Sequence, residues 1–396
     1  MFNIILLGIT SLLTDISSEM VYPILPVFLV TALGASPAIL GLIEGVAESL
    51  ASLLKVFSGY YSDRIKLRKP FAMFGYAASC VGKFLLYVSA SWGCVLFARL
   101  VDRFGKGVRT APRDALIADS SPEGRRGASF GLHRAMDTTG AAIGVLCAYF
   151  LVTRYNGEFK NIFFISIIPA LLGALVLFLV KEKKNVFSVS RAKNPEFSLS
   201  NVKGEAGFCP AKRWRALDKR LKLFLVFTFI FTLGNSSNQF LLLRAQSLGN
   251  PLSTVILLYL FYNLSYAAVA YPASRLSDKI GRKKLLVSGY LFYALVYFGL
   301  AVNKSPYNCW FLFCIYGLYT GFTEGVEKAL VADMAPAELR ATVIGFHAML
   351  IGIGLLPASL LAGLLWKFIG PQAAFYFGGF MGLTASIGFW FVLKGI

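Results

Sequence analysis

The fourth apolar segment of the chain carries ionisable side chains whose spacing suits the binding of a charged solute. Four of them recur at i, i+4, i+7 and i+11, on one face of an α-helix: Asp102, Lys106, Arg109 and Arg113. Because guanidinium groups bind carboxylates and phosphates in bidentate fashion, Arg109 and Arg113 predict a site for an anionic group on the wall of a cavity. The alternative is an internal salt-bridge ladder, in which Asp102 pairs with Lys106 and Arg113 pairs with other helices. We call the four residues the helix-4 stripe, and three further ionisable residues flank it, Arg99, Arg103 and Asp114.

Paired carboxylates in the first two apolar segments are candidates for proton binding. Asp15 and Glu19 are four residues apart and share one helical face. Glu44 and Glu48 repeat that spacing in the second segment. An ionisable residue at the centre of a membrane helix costs about 2.5–3.5 kcal/mol, so such residues face the bundle interior or water and are functional candidates. The carboxylates are predicted to carry a coupling proton, or alternatively to pair with the arginines of the fourth segment.

The fifth apolar segment holds His133, Arg134 and Asp137. His133 and Asp137 are an i, i+4 pair, and histidine titrates near physiological pH, so the pair suits a proton relay. His347 occupies the matching place in the second half of the chain. The alternative is therefore a structural histidine that hydrogen-bonds a neighbouring loop in each half, and the sequence leaves both interpretations open.

The second half of the chain is more neutral. Its seventh segment offers the amides of Asn235 and Asn238, and its tenth segment carries Glu324 and Glu327. Amides on one side of a pathway and charges on the other suit a polar ligand better than an apolar one. We therefore expect a small organic solute that is anionic or zwitterionic, and the alternative is the efflux of cationic or amphipathic drugs against protons.

Twelve apolar segments must position these side chains. The chain has 396 residues, of which 57% are hydrophobic and 15% charged, whereas soluble domains average about 45–50% and 25%. A helix needs about 20 apolar residues to span a bilayer, so we predict an all-α membrane protein with twelve transmembrane helices. Pro23 and Pro26 predict a break near the end of the first helix. The predicted spans are 3–31, 37–61, 70–91, 94–118, 127–152, 161–180, 221–247, 253–276, 284–303, 308–332, 340–367 and 372–393.

Basic residues concentrate in loops on one side of the predicted bundle. The loop 64–69 has four of them, the stretch 279–284 has four, and the interval 181–222 has twelve against four acidic residues. By the positive-inside rule this side is cytoplasmic. We therefore predict a protein of the cytoplasmic (inner) membrane with both termini on the cytoplasmic side. Short basic clusters between apolar runs also argue against nucleic-acid binding as the reason for the net charge of +19. We predict a six-helix bundle over 1–180, a basic cytoplasmic linker over 181–220 and a second six-helix bundle over 221–396.

An internal repeat relates the two halves. The two histidines of the chain form one matched pair. A duplicated six-helix unit is typical of transporters, so we expect two pseudo-symmetric bundles with a pathway between them. Seven residues recur 214 positions later, since Gly107, Asp119, Pro122, Arg126, Gly131, His133 and Gly140 match Gly321, Asp333, Pro336, Arg340, Gly345, His347 and Gly354.

The loop motifs of both halves resemble those of the major facilitator superfamily. Its signature between helices 2 and 3 is similar to Gly59-Tyr-Tyr-Ser-Asp63-Arg64-Ile-Lys-Leu-Arg68-Lys69. The second copy of that signature is similar to Ser274-Arg-Leu-Ser-Asp278-Lys279-Ile-Gly281-Arg282-Lys283. Arg103-Phe-Gly-Lys-Gly107 looks like the arginine–glycine motif of helix 4.

The resemblance implies a secondary active transporter with the twelve-helix fold of that superfamily, working by alternating access. Arg103 aligns with the family arginine that supports coupling. Ala141 stands where antiporters of the family carry proline, which counts against export by proton antiport. The family's loop motifs latch the two bundles on the cytoplasmic side, and the residues that would form the latch here are Gly59, Asp63, Arg64, Asp278 and Arg282.

Other functional classes lack their motifs. The sequence has no G-x-x-x-x-G-K-[ST] nucleotide-binding loop and no cluster of histidine and cysteine residues. We therefore predict a protein that is not an enzyme and that needs neither a cofactor nor a metal. Its expected partners are the solute, protons and the lipid bilayer, and we expect a monomer.

Overall fold

The protein is described by a computed structural model that covers residues 2–65, 67–121, 126–155, 158–182, 218–334 and 340–393. Helices make up nearly all of these residues, and no strand occurs among them. The helices follow the twelve predicted spans, so we number them α1 to α12. The predicted linker 181–220 lies for the most part outside the described residues.

The helices of the first half agree with the predicted spans to within a few residues, apart from α1. That span is divided into Phe2–Val21, Leu25–Val27 and the π-helical turn Phe28–Ala32, so the break predicted at Pro23 and Pro26 is present. The other helices are α2 (Pro37–Ile65), α3 (Lys69–Tyr87), α4 (Trp92–Ser120), α5 (Arg126–Arg154) and α6 (Phe159–Val176, followed by the 3-10 turn Leu177–Leu179).

The second half repeats this order. Its first span, α7, is also interrupted, with Lys219–Gly234 and Gln239–Ser247 as its two segments. The asparagines predicted to face a ligand, Asn235 and Asn238, lie at this interruption. The remaining helices are α8 (Leu252–Ile280), α9 (Arg282–Val302), α10 (Asn308–Met334), α11 (Arg340–Phe368) and α12 (Pro371–Val392).

Seven helices among the described residues are long and apolar enough to cross a membrane, judged by length and composition. Helices α2 and α4, which carry buried carboxylates and arginines, are not among them. Such helices need neighbours that shield their charges from lipid. The seven are Phe2–Ala32, Leu132–Arg154, Phe159–Leu179, Leu252–Ala270, Arg282–Val302, Phe346–Phe368 and Pro371–Val392.

The helices pack in the same way within each half. In the first half α1 packs on α5 and α6, while α4 packs on α2 and α3. In the second half α7 packs on α11 and α12, while α10 packs on α8 and α9. Contacts between the halves run along α2 with α11 and along α5 with α8. We call the end with the α2–α3 and α8–α9 loops the basic end, and the other the opposite end.

The contact between α2 and α11 covers only part of α2. A Cβ on Gly45 would lie 3.0 Å from the Cα of Leu356, so glycine allows the two backbones to approach closely. Further along α2, Ser52 packs against Gly352. Val56 continues the same face of α2 one turn further and is 54% exposed. The described close approaches between α2 and α11 therefore lie on the part of α2 that is nearer the opposite end.

Candidate functional site

Two arginines in the first half of α4 form ion pairs with carboxylates of α2. Arg99 donates two hydrogen bonds to Oε1 of Glu44, from Nε at 3.0 Å and Nη2 at 2.8 Å. Glu44 is 0% exposed, so this pair is wholly inside the protein. Arg103 forms an ion pair of 3.1 Å with Glu48. The α2 carboxylates thus pair with arginines, as in the second interpretation of the sequence.

Asp102 pairs with a lysine that the sequence analysis did not select. The ammonium group of Lys83 on α3 lies 3.5 Å from Oδ1 of Asp102 and donates a hydrogen bond of 3.1 Å to the hydroxyl of Ser18. Arg99 adds a contact of 3.7 Å to Asp102. The predicted ladder between Asp102 and Lys106 is therefore replaced by a pairing between helices. The signal was present, since Lys83 is an ionisable residue within an apolar run.

Arg109 lies inside the contact between α3 and α4. Its guanidinium group stacks 4.5 Å from the centre of the Tyr76 ring and donates a hydrogen bond to the hydroxyl of Ser79. Gly75 allows the approach, since a Cβ there would overlap Arg109. Arg109 is 5% exposed, so this position differs from the cavity wall predicted from the helix-4 stripe. Because the α3 helix lies against this part of α4, the stripe does not present all its cations to one space.

Lys106 and Arg113 remain on the side of α4 that faces α1. Lys106 is exposed, and its ammonium group interacts electrostatically with Asp15 and Glu48. Arg113 pairs with its neighbour Asp114 at 2.9 Å and donates a hydrogen bond of 3.3 Å to Ser11 of α1. Glu19 also faces Lys106, and one of its carboxylate oxygens is buried with no hydrogen-bond partner among the described residues.

The predicted residues of α1 and α5 meet. Asp137 accepts a hydrogen bond of 2.7 Å from Ser11, and its carboxyl group interacts electrostatically with that of Asp15, one turn further along α1. His133 is buried on the same helix, and its Nε2 has no hydrogen-bond partner in the described part of the chain. The structure thus brings Asp15 and Asp137 together, while the proton relay from His133 stays a prediction.

A polar bridge joins the two halves on the side of α5. Arg134 contacts Asp137 at 3.3 Å within the first half. It also reaches the Tyr266 hydroxyl at 3.3 Å and Glu324 at 3.9 Å in the second half. Tyr266 in turn donates a hydrogen bond of 2.5 Å to Glu324. Tyr266 was missed in the sequence because its position on the facing helix depends on tertiary packing.

The other predicted residues of the second half, Asn235, Asn238 and Glu327, have partners within that half. Asn238 accepts a hydrogen bond of 2.8 Å from the hydroxyl of Tyr316. The backbone amide of Asn235 closes the end of the first α7 segment by bonding the carbonyl of Phe231. Glu327 lies 2.9 Å from Nε2 of His347. His347 therefore contacts a side chain of α10, whereas the structural interpretation had placed it against a loop.

The predicted latch at the basic end is only partly visible. The side chains of Asp63, Arg64 and Asp278 lie outside the described residues. Gly59 packs against α4, since a Cβ there would lie 3.3 Å from Ala111. Arg282 forms an ion pair with Asp333, and Arg68 forms one with Asp119. Arg68 and Asp119 correspond to Arg282 and Asp333, each 214 residues later, so the internal repeat includes both ion pairs. The arginines of this repeat were missed in the sequence, where only the aspartates were matched.

No group of three or more histidine, cysteine or acidic side chains suited to a metal ion occurs in the described ranges. The candidate site consists of charged side chains on α1, α2, α4 and α5, with Tyr266 and Glu324 facing them from the second half.

Sequence comparisons agree with this arrangement. The sequence model of the Major Facilitator Superfamily matches residues 7–243 and 223–395. The "Uncharacterized MFS-type transporter MJ1317" of Methanocaldococcus jannaschii is 38% identical over 392 residues, covering 97% of this chain and 93% of the relative. The "Multidrug resistance protein MdtH" of Photorhabdus laumondii is 23% identical over 358 residues, covering 87% of this chain and 82% of that protein.

Solved structures share the fold. The nucleoside transporter NupG superposes with a TM-score of 0.79 at 13% sequence identity, and the match covers 100% of both chains. A D-xylose-proton symporter superposes with a TM-score of 0.74 at 16% identity, covering 98% of this chain and 97% of that chain. The predicted fold class is thereby confirmed.

Proposed function

Because the chain belongs to the Major Facilitator Superfamily, we propose that it moves a small polar organic solute across the cytoplasmic membrane by alternating access and that protons drive this movement. The chain is a multi-pass membrane transporter. Family membership alone leaves open the class of solute, the driving ion and the membrane, and these three are proposed here from the positions of charged residues.

The position of Lys106 is the single observation that carries the choice of solute. The arginines of α4 have carboxylate or aromatic partners, whereas Lys106 is exposed on the side of α4 that faces α1. Asp15 and Glu48 face the same ammonium group. A site with an accessible cation surrounded by carboxylates suits a solute that carries both charges, with its anionic group on Lys106. We therefore propose a zwitterionic or anionic solute.

Carboxyl groups on α1 and α5 support coupling to protons. Asp15, Glu19 and Asp137 lie in predicted membrane helices, where acidic residues are costly and mark the paths of protons and ions. One structural neighbour is described as a proton symporter. We propose that residues 1–180 and 221–396 are the moving bundles, joined by the linker 181–220, with the basic end and both termini cytoplasmic.

A second candidate, proton-driven efflux of cationic compounds, is favoured by a different observation. Glu19 has a buried carboxylate oxygen with no hydrogen-bond partner among the described residues, and Glu324 faces Arg134 from the other half. Such carboxylates suit a cation. A multidrug resistance protein is also among the relatives.

Transport into proteoliposomes tests both candidates. Purified protein is reconstituted with a pH gradient of either direction, and radiolabelled amino acids, acidic metabolites and a cationic dye are offered separately. We expect uptake of a zwitterionic or anionic compound that a protonophore abolishes. Extrusion of the dye alone would support efflux, and the absence of flux for every compound under either gradient would contradict both candidates.

A further inference from the structure

The carboxyl groups of Asp15 and Asp137 meet between α1 and α5, and we propose that this pair is the proton-binding site of the transporter, with one proton held between two carboxyl groups. The two carboxyl groups face each other one helical turn from the hydrogen bond of 2.7 Å that joins Ser11 of α1 to Asp137 of α5. An ionised carboxylate only accepts hydrogen bonds, so a bond between two carboxyl groups requires a proton on one of them. The inference rests on the proposed proton coupling and assigns it to specific atoms.

Close helix packing forces the two groups together. A Cβ on Gly140 would overlap the backbone of Leu12, so α1 and α5 touch one turn away from Asp137. Ser11, one turn before Asp15, donates a hydrogen bond of 2.7 Å to Oδ1 of Asp137. Asp137 is thus fixed between two consecutive turns of α1, and its carboxyl group has little freedom to move away from Asp15.

The surrounding charges favour one proton in the pair. Arg134 contacts the Asp137 carboxylate at 3.3 Å, and its positive charge balances one negative charge on the pair. A second ionised carboxylate in contact with the first would repel it strongly in this low-dielectric setting, as in other carboxyl pairs that share a proton. Helix α6 also packs on α1, and its one ionisable side chain, Lys160, lies at its first turn. The charged or titratable groups that face the pair are Glu19 of α1, Lys106 and Arg113 of α4, and His133 and Arg134 of α5.

The second half of the chain shows that the fold does not require this pair. In the internal repeat, Asp137 of α5 corresponds to Ile351 of α11, 214 residues later. The α7 segment that packs on α11 has no ionisable residue from Leu223 to Gly234. The same helix contact is therefore built from apolar side chains in one half and includes two acids in the other. The acids serve a purpose other than helix packing.

The pair is connected to the contact between the halves. Arg134 bridges Asp137 in the first half to Tyr266 and Glu324 in the second. When the proton leaves, the pair carries two negative charges, and Arg134 is drawn toward it and away from Glu324. When a proton binds, the attraction weakens and Arg134 is free to favour Glu324. Proton binding thus biases the position of one half against the other.

Infrared spectroscopy of the purified full-length protein tests the site without any solute. Wild-type protein at neutral pH is expected to show the carbonyl stretch of a protonated carboxylic acid, with the small shift in D₂O that identifies such a group. Asp15→Asn and Asp137→Asn should each remove this band, because the remaining carboxylate accepts the amide hydrogen bond and needs no proton. Asp119→Asn is the matched control, since Asp119 pairs with Arg68 at the basic end, and it should leave the band unchanged.

A second variant keeps the test decisive if the asparagine proteins do not fold. Ser11→Ala retains both acids and removes a hydrogen bond to Asp137, so it should shift the band in frequency. Absence of the band in wild-type protein, its survival in Asp15→Asn and Asp137→Asn, or an unshifted band in Ser11→Ala would each overturn the proposal. A protein with the band and no solute flux would instead contradict the proposed function alone.

Discussion

The hydroxyl of Ser49 on α2 donates a hydrogen bond of 2.7 Å to the carbonyl oxygen of Gly352 on α11. This bond is one of the few polar links between the two halves along that contact, and it lies close to where the contact ends. A helix pair held mainly by close backbone packing separates and closes without breaking strong bonds. The α2–α11 contact is therefore suited to a gate at the opposite end.

Replacing Gly41 with alanine should hold this gate open. A Cβ at Gly41 would overlap the carbonyl oxygen of Ser359, so α2 and α11 must move apart. Overpacking of this kind costs about 1–3 kcal/mol, which changes the ratio of two conformations by roughly 5- to 150-fold. Spin labels on the loops of the opposite end should report a longer distance between the halves in Gly41→Ala. Gly93→Ala is the control, since its Cβ would meet only Ser91 at 3.9 Å, and equal distances in both variants would contradict the gate.

Removing the charge of Lys83 should destabilise the protein without a direct effect on solute binding. Lys83→Met removes the ammonium group from buried Asp102, which keeps the contact of 3.7 Å to Arg99, and the loss of one member of a buried pair costs about 3–5 kcal/mol. Lys83→Met with Asp102→Asn should recover part of this loss, because it removes the uncompensated charge. Thermal unfolding in detergent measures the difference. Lys160→Met, at an exposed site, is the control, and equal melting of both lysine variants would argue against the buried pair.

Lys106 should determine solute affinity. Lys106→Gln removes the exposed cation of α4, and a hydrogen bond between charged groups contributes about 1.5–3 kcal/mol, so the affinity for the solute should fall roughly tenfold or more. Lys106→Arg keeps the charge and should retain most binding. Counterflow in proteoliposomes gives the affinity, and melting curves show whether the fold is intact. Unchanged affinity in Lys106→Gln would remove Lys106 from the site.

The ion pairs Arg68–Asp119 and Arg282–Asp333 should each tolerate an exchange of charges. Arg68→Asp alone places two acids together, whereas Arg68→Asp with Asp119→Arg restores the pair. Because Asp119 and Asp333 are partly exposed, each pair is worth only about 0–1 kcal/mol and should weaken as salt is added. Transport rates of single and double variants at low and high salt test this. A double variant as impaired as the single one would show that geometry, and not charge, matters here.

The sequence predicted the order and extent of the helices because that information is local. Runs of apolar residues of about 20 set the spans, and Pro23 with Pro26 set the break of α1, which the structure confirms. The internal repeat predicted that the two halves have the same order of helices, because matched residues at a constant offset can be recognised without knowledge of the packing.

The pairing of charges could not be read from the sequence in the same way. Helical periodicity placed Arg109 on the same face as Lys106, but which neighbour covers each part of that face depends on how α3 and α1 pack. Gly75 and Gly105 bring α3 close enough to enclose Arg109. Lys83 was passed over because it is a single charge in an apolar run, and its partner Asp102 is on the next helix. Contacts between helices thus decide which charges face a solute.

The enclosed charges of α2, α3 and α4 have a consequence for how the protein enters the membrane during synthesis. Glu44, Lys83 and Arg99 reside on three separate helices, and each would meet lipid alone if its helix left the translocation channel by itself. Together with Asp102 they form a group without net charge. We therefore expect these three helices to leave the translocation channel and enter the lipid together. The charge network then constrains membrane insertion as well as the final packing.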